Sequence, residues 1–423
     1  MGAISMQAPS TRRVLAASLV GTSIEFYDFY VYTTAAALVF GKLFFPAASP
    51  TAQQLAAFAT IGVAFIARPL GSLFFGHFGD RIGRKSTLVA SLLTMGLSTT
   101  LVAFLPTYAT IGWAAALLLC VLRFGQGFGL GGEWGGAALL AVEHAPPGWR
   151  ARFGMFPQLG APVGFIAANG LFLLLGVVLT PAQFSDWGWR IPFLISAVLV
   201  IFGLWIRLKL AETPEFCASI EDAPPPLIPF AELIGQHFGK LVVGTFGGIA
   251  CFALYYVSTA FALGYGVKTL GYPMADFLAV QLGAILFMAL GIVVSAYGAD
   301  RHWDERRVLM GGCVATILCG FLMAPLMGSG SLALVFAYLA LSLLCMGFVY
   351  GPLGAWLPSL FPARVRYTGA SMTFNLAGVL GGALTPIAAQ ALAARGGLAP
   401  VGLYASAAAA ISLVTLTVAG RAR

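Results

Sequence analysis

The chain has 423 residues, 59% of them hydrophobic and only 9% charged, where an ordinary soluble domain carries about 25% charged residues. That balance excludes a water-soluble enzyme or binding module. The formal net charge of +8 belongs to membrane topology rather than to a polyanion site, because the basic residues recur at every second turn of the chain.

A hydrocarbon core takes about 20 apolar residues per helical crossing. Parsing at Pro, Gly and charge clusters predicts twelve crossings, at about 14–40, 53–77, 86–105, 111–143, 153–179, 190–209, 240–266, 275–298, 308–328, 332–360, 367–393 and 400–420. The alternating ten-residue segments of a membrane barrel are absent. In the first crossing, IEFYDFYVY (24–32) places Glu25 and Asp28 three residues apart on one helix face. Counted from Arg13 at about 1.5 Å per residue, they lie roughly 18–22 Å into the membrane. A charge there costs about 3 kcal/mol, so such groups are usually paired or line a wet cavity. The second crossing carries Arg68 and runs into the loop GHFGDRIGRK (76–85).

The fourth crossing, RFGQGFGLGGEWGGAALL (123–140), carries Arg123 and Glu133. Arg123 lies at the depth of the first-helix acids, so Asp28 paired with Arg123 is expected to be the principal proton carrier, with Glu25 and Glu133 as secondary acids. An arginine close to a carboxyl favours its charged form and burial disfavours it, so an acid alternating between the two settings binds and releases a proton. Glu133 is read equally as an inner relay or as a partner for Arg68. Residues 127–132 match GxGxxG formally, but inside a membrane helix the glycines serve backbone-to-backbone packing. Pro157, Pro162, Pro352 and Pro358 are expected to kink the fifth and tenth helices.

Residues 210–239 are the one long polar interruption. They divide the chain into a bundle at 1–209, a cytoplasmic linker and a bundle at 240–423. YGADRHWDERR (297–307) echoes the 76–85 loop, two helices into the second half. Such paired halves suit a carrier that rocks about a central site. With the N-terminus cytoplasmic, 17 of the 23 Lys and Arg fall on the cytoplasmic side, 4 on the other and 2 inside the membrane. The positive-inside rule then puts both termini in the cytoplasm. No cleavable signal is expected, since the first apolar stretch is too long and carries two acids. The six cysteines lack paired or metal spacing.

The 71–85 segment GSLFFGHFGDRIGRK resembles the loop signature of the major facilitator superfamily. Together with ARPLG (67–71), the two helix motifs above, WGWRIPFL (187–194) and RYTGAS (366–371), it is similar to the metabolite:proton symporter family. Members of that family carry shikimate, oxoglutarate, citrate and betaines. The resemblance implies an all-α integral membrane protein of the bacterial inner membrane, with twelve helices in two six-helix bundles around a central cavity. It also implies a cytoplasmic gate of Gly76, Asp80, Arg81, Arg84 and Glu143, completed by Arg152, Glu212, Asp300 and Arg364. Asp80 would approach the start of the eleventh helix, whose positive end favours a carboxylate.

The superfamily cavity is lined by helices 1, 4, 5, 7, 8, 10 and 11. The polar candidates there are Tyr27, Tyr30, Gln158, Asn169, Tyr255, Tyr256, Gln281, Tyr350, Trp356 and Asn375, and Arg68 or Arg123 would hold a carboxylate by a bidentate pair. The expected function is proton-coupled uptake of a small organic acid or zwitterion by a monomeric carrier, without cofactor, metal or nucleic acid. Proton-driven export of hydrophobic or cationic compounds and uncoupled facilitation are the alternatives.

Overall fold

The computed structural model describes residues 11–46, 49–209 and 228–419. All of its regular structure is helical. The principal helices are α1 (Thr11–Ala35, running on through a π-helical turn to Phe44), α2 (Pro50–Arg81), α3 (Arg84–Val102), α4 (Trp113–Val142), α5 (Arg150–Val178) and α6 (Ile191–Leu208). After residues 210–227 come α7 (Pro229–Tyr256, continuing through Val257–Phe261 to Lys268), α8 (Met274–Arg301), α9 (Glu305–Phe321) and α10 (Leu332–Tyr350, then Leu353–Ser359). The last two are α11 (Arg366–Gly378, continuing through Val379–Ala383 to Gly396) and α12 (Leu398–Ala419). Among the described residues, eleven helical stretches are long and apolar enough to cross a membrane. The exception is α9, with 17 residues.

Local chemistry sets the ends. Ser49 caps α2 by accepting from the Ala52 backbone N–H, and Asp304 caps α9 by accepting from that of Arg307, each satisfying an otherwise orphan helical donor. Gly83, at φ +117°, makes the sharp turn from α2 into α3, a conformation that residues with a Cβ avoid. α10 breaks at Gly351-Pro352, where proline withholds the donor that helix continuation requires. Pro157 and Pro162 stay inside the continuous α5. α7 begins at Pro229, eleven residues before the predicted crossing, and bends at His237, whose backbone is non-helical. Proline at a first helical turn loses no hydrogen bond, so the proline-rich stretch gives way to helix sooner than its polarity suggests.

In the first set, α1 packs on α5 and α6, and α4 on α2 and α3. In the second, α8 packs on α10, α9 on α12, and α7 on α11 and α12. The two sets meet where α5 faces α8 and where α11 faces α2 and α4. One end of the molecule carries Arg81, Arg84, Lys85, Arg150, Arg152, Arg301, Arg306, Arg307, Arg364 and Arg366, and it is called the basic end below.

Candidate transport site

Between the two sets lies a small cavity, lined by Glu25 and Arg68 together with a wall of aromatic rings that includes Phe29, Tyr255, Tyr256 and Tyr350. The Arg68 guanidinium lies 4.8 Å from the Phe29 ring centroid and 4.6 Å from that of Phe65. Such cation–π contacts replace part of the hydration lost on burial. Its Nε, one Glu25 carboxylate oxygen and the Tyr255 and Tyr350 hydroxyls have no hydrogen-bond partner. Buried polar groups without partners carry a desolvation cost that a polar guest would offset. Glu25 stands in the positive field of both Arg68 and Arg207 yet lies in no ion pair among the described residues.

A second small cavity adjoins the first on the side away from the basic end. Its polar lining is uncharged: Thr33, Thr34, Asn169, Thr259 and Gln281. Tyr30 and Tyr255 line both cavities, and their rings stack at 5.6 Å, so this ring pair is the partition. Thr34 donates to the Asn169 carbonyl oxygen, and Gln281 donates to the backbone oxygens of Ser258 and Thr259.

Asp28 and Arg123 do not form the expected ion pair. The Asp28 carboxylate accepts from Ser196 at 2.6 Å. Arg123 donates to the Gln126 side-chain oxygen and lies 3.9 Å from the Tyr32 ring centroid. Gln126 in turn donates to the Asp28 backbone oxygen and to Thr99. Gln126, one turn along from Arg123, thus stands between the two charges, and neither residue lines the central cavity. Glu133 also differs from expectation: it pairs with Arg207 of α6 and accepts from Ser91 at 2.8 Å. Arg207 is one of the 17 basic residues that the sequence places on the cytoplasmic side. It is instead 3% exposed and donates to the Leu88 backbone oxygen as well.

Below the cavity, the basic end is closed. Asp80 accepts from the backbone N–H of Tyr367 and Thr368 at 3.2 and 3.0 Å and from the Thr368 hydroxyl at 2.7 Å. A carboxylate on the first turn of α11 meets both orphan donors and the positive helix end. Gly76 and Gly79 admit this approach, since a Cβ at either would meet Thr368 or the Tyr367 ring at under 3 Å. Arg84 lies 3.6 Å from Asp80 and 3.7 Å from Glu143, and Arg366 reaches Glu143 at 3.5 Å.

The second repeat does the same for α5. Asp300 accepts from the backbone N–H of Ala151 and Arg152 at 3.0 and 2.9 Å and pairs with the Arg152 guanidinium at 2.9 Å. Arg364 pairs with Glu232 at the start of α7. Arg81 is exposed beside His77. Glu212 falls outside the described residues.

The remaining polar candidates divide in two. Gln158 donates to the Tyr350 backbone oxygen and accepts from Trp134, and Asn375 donates to Ser72 and to the Gly131 backbone oxygen. Both amides are spent joining the two sets below the cavity, where the Trp134 and Phe374 rings stack at 3.8 Å. Tyr27 donates to the Pro192 backbone oxygen within the first set, and Trp356 lies against Gly247 and a surface hollow at the basic end. Neither lines the central cavity.

An all-helical fold with eleven stretches apolar enough to cross a membrane, packed around a closed, charged cavity, is that of a membrane transport protein. The Major Facilitator Superfamily model matches residues 18–386, and the chain belongs to that family. It is 49% identical over 411 residues to the inner membrane metabolite transport protein YhjE of Escherichia coli K12, covering 96% of this chain and 93% of that one. It is 38% identical to the shikimate transporter of the same organism, with the same coverage. Among solved structures, the proton:xylose symporter XylE bound to 6-bromo-6-deoxy-D-glucose superposes with a TM-score of 0.76 at 16% identity, covering 96% of this chain and 94% of that one. At that identity the likeness is one of fold.

Proposed function

We propose that this transporter is a proton symporter of the bacterial inner membrane that takes up a small carboxylated metabolite by alternating access. In this reading α9 is a further crossing, completed by the short helix Met323–Met327. Twelve helices then form two six-helix bundles, 1–209 and 240–423, and the basic end and both termini face the cytoplasm. The distribution of Lys and Arg supports the orientation. The names of the relatives support an inner-membrane metabolite carrier.

The observation that carries the reading is one acid and one arginine, Glu25 and Arg68, around the same cavity between the bundles. A substrate carboxylate takes Arg68 by paired hydrogen bonds. Two carboxylates would then share one guanidinium in a desolvated space, leaving a net negative charge that is expensive to bury. A proton on Glu25 removes it. Substrate and proton therefore bind together, one to one, and leave together when the cytoplasmic side opens. Glu25 takes the role first expected of Asp28, because Glu25 faces the cavity while Asp28 is held by Ser196. A site for hydrophobic cations would carry the acid without the arginine, so Arg68 counts against export.

The test is uptake into proteoliposomes of purified protein, with labelled shikimate and a panel of organic acids and betaines. An inward proton gradient should concentrate the substrate, and Glu25→Gln should abolish that concentration while leaving exchange across equal pH intact. Concentrative uptake by Glu25→Gln equal to that of the unsubstituted protein would remove Glu25 from coupling.

A further inference from the structure

A groove lies away from the transport path, on the outer face where α9 and α10 run side by side. Its walls are Val308, Ala315, Leu341, Leu344, Cys345 and Phe348, and its floor is Gly311 and Gly312. A Cβ at Gly311 would meet nothing within 4 Å, whereas Gly312 is packed against Phe348 and Val349. The floor is thus open on one side and sealed against the neighbouring helix on the other. From Arg307 to Ala315 the groove runs about 12 Å along α9.

Polarity is confined to one end. Trp303, 58% exposed, and Arg307, whose side chain is 68% exposed, close the groove at the basic end. Asp304 accepts from the Arg307 backbone N–H at 2.8 Å and lies 3.3 Å from its Nε. That contact engages the Nε edge of the guanidinium, on a side chain that is largely exposed. Asp300, the next acid back, is neutralised by Arg152.

We propose that this groove is a binding site for a single glycerophospholipid from the leaflet at the basic end. One acyl chain lies over Gly311, the phosphodiester takes the terminal amino groups of Arg307, and the Trp303 indole sits at headgroup level, where such rings collect. The chemistry matches at both ends: an apolar trough of acyl width below, and a planar donor fork suited to phosphate above. A second copy of the chain fits worse. Two copies crossing one membrane the same way up share a two-fold axis along its normal, so the same patch meets itself at the same depth. Arg307 would face Arg307.

The experiment is native mass spectrometry of the full chain, delipidated in detergent and titrated with dioleoyl phosphatidylglycerol or with dioleoylglycerol, which has the same chains and no phosphate. A one-lipid adduct should form with phosphatidylglycerol and not with dioleoylglycerol. Arg307→Gln should weaken it about tenfold, the loss of one charge-assisted contact, and Gly311→Leu should abolish it. Gly311→Leu adds its side chain to open space, and an unchanged melting temperature confirms that it folds. Equal adducts in Gly311→Leu and the unsubstituted protein would overturn the proposal, as would equal binding of dioleoylglycerol. A dimer mass that Gly311→Leu dissolves would overturn it in favour of a second copy.

Discussion

Glu133 and Arg207 are each at most 3% exposed and are joined by an ion pair deep among α3, α4 and α6. The pair is fully furnished: Ser91 serves the carboxylate, and the Leu88 backbone oxygen serves the guanidinium. Such a pair adds little net stability, but removing one partner strands the other at a cost of about 3–5 kcal/mol. Arg207→Met should therefore lower the melting temperature of purified protein markedly and reduce its yield. Glu133→Leu added to Arg207→Met should restore most of the loss, because no buried charge is then left over. A double variant as unstable as the single one would mean that packing around Gly21, against which Arg207 lies, matters more than charge. The pairing was hidden in the sequence by an adequate competing explanation. Arg207 stands next to Leu208 and Lys209 at a helix end, where the positive-inside rule already accounts for a cation. The Asp28–Arg123 expectation erred differently: depth along two helices was read correctly, but rotation about each helix axis was not. Gln126 and Ser196 take up the two groups that depth alone would have joined.

The contact between α2 and α4 is made by absent side chains. A Cβ on Gly71 would strike the Phe128 backbone oxygen, one on Gly127 the Ala64 backbone oxygen, and one on Gly131 that of Arg68. With no hydrophobic drive between helices in lipid, such close approach supplies the van der Waals contact that holds them. It also sets Arg68 opposite α1 and so fixes the cavity. Gly131→Leu should give protein that aggregates on size-exclusion chromatography, whereas Gly170→Leu on α5, where a Cβ meets nothing within 4 Å, should elute as the unsubstituted protein does. Equal profiles would deny the glycines their packing role. This feature was legible from residue type, because the run of glycines in an apolar helix admits few other uses. Helix existence was legible throughout, since long apolar stretches between basic turns have one solution in lipid. The π-helical turns at Ala36–Phe40, Val257–Phe261 and Val379–Ala383 were not, as an extra residue per turn leaves the hydrophobic pattern unchanged. Nor was the onset of α7 at Pro229, where local polarity masked a start signal.

At the scale of the whole molecule, the two Asp-Arg loops play the same part in opposite directions. Asp80, ending α2, receives the first turn of α11, and Asp300, ending α8, receives the first turn of α5. Each contact crosses from one of the two packed sets of helices to the other, so the basic end cannot open there without breaking both. Hydrogen bonds to a charged group contribute about 1.5–3 kcal/mol each when buried. The caps lie on different helices and share no partner, so their effects should add. In the proposed orientation these bonds exist only while the cytoplasmic side is shut. Asp80→Asn and Asp300→Asn should each raise labelling from the cytoplasmic side of a Ser371→Cys reporter, buried against Gly135, by about tenfold for each 1.4 kcal/mol lost. The double variant should show the product of the two factors. Labelling of the double variant no greater than that of Asp80→Asn alone would mean that the Asp300 contact forms after closure is already decided by Asp80. The halves would then close in sequence rather than as one rocking unit.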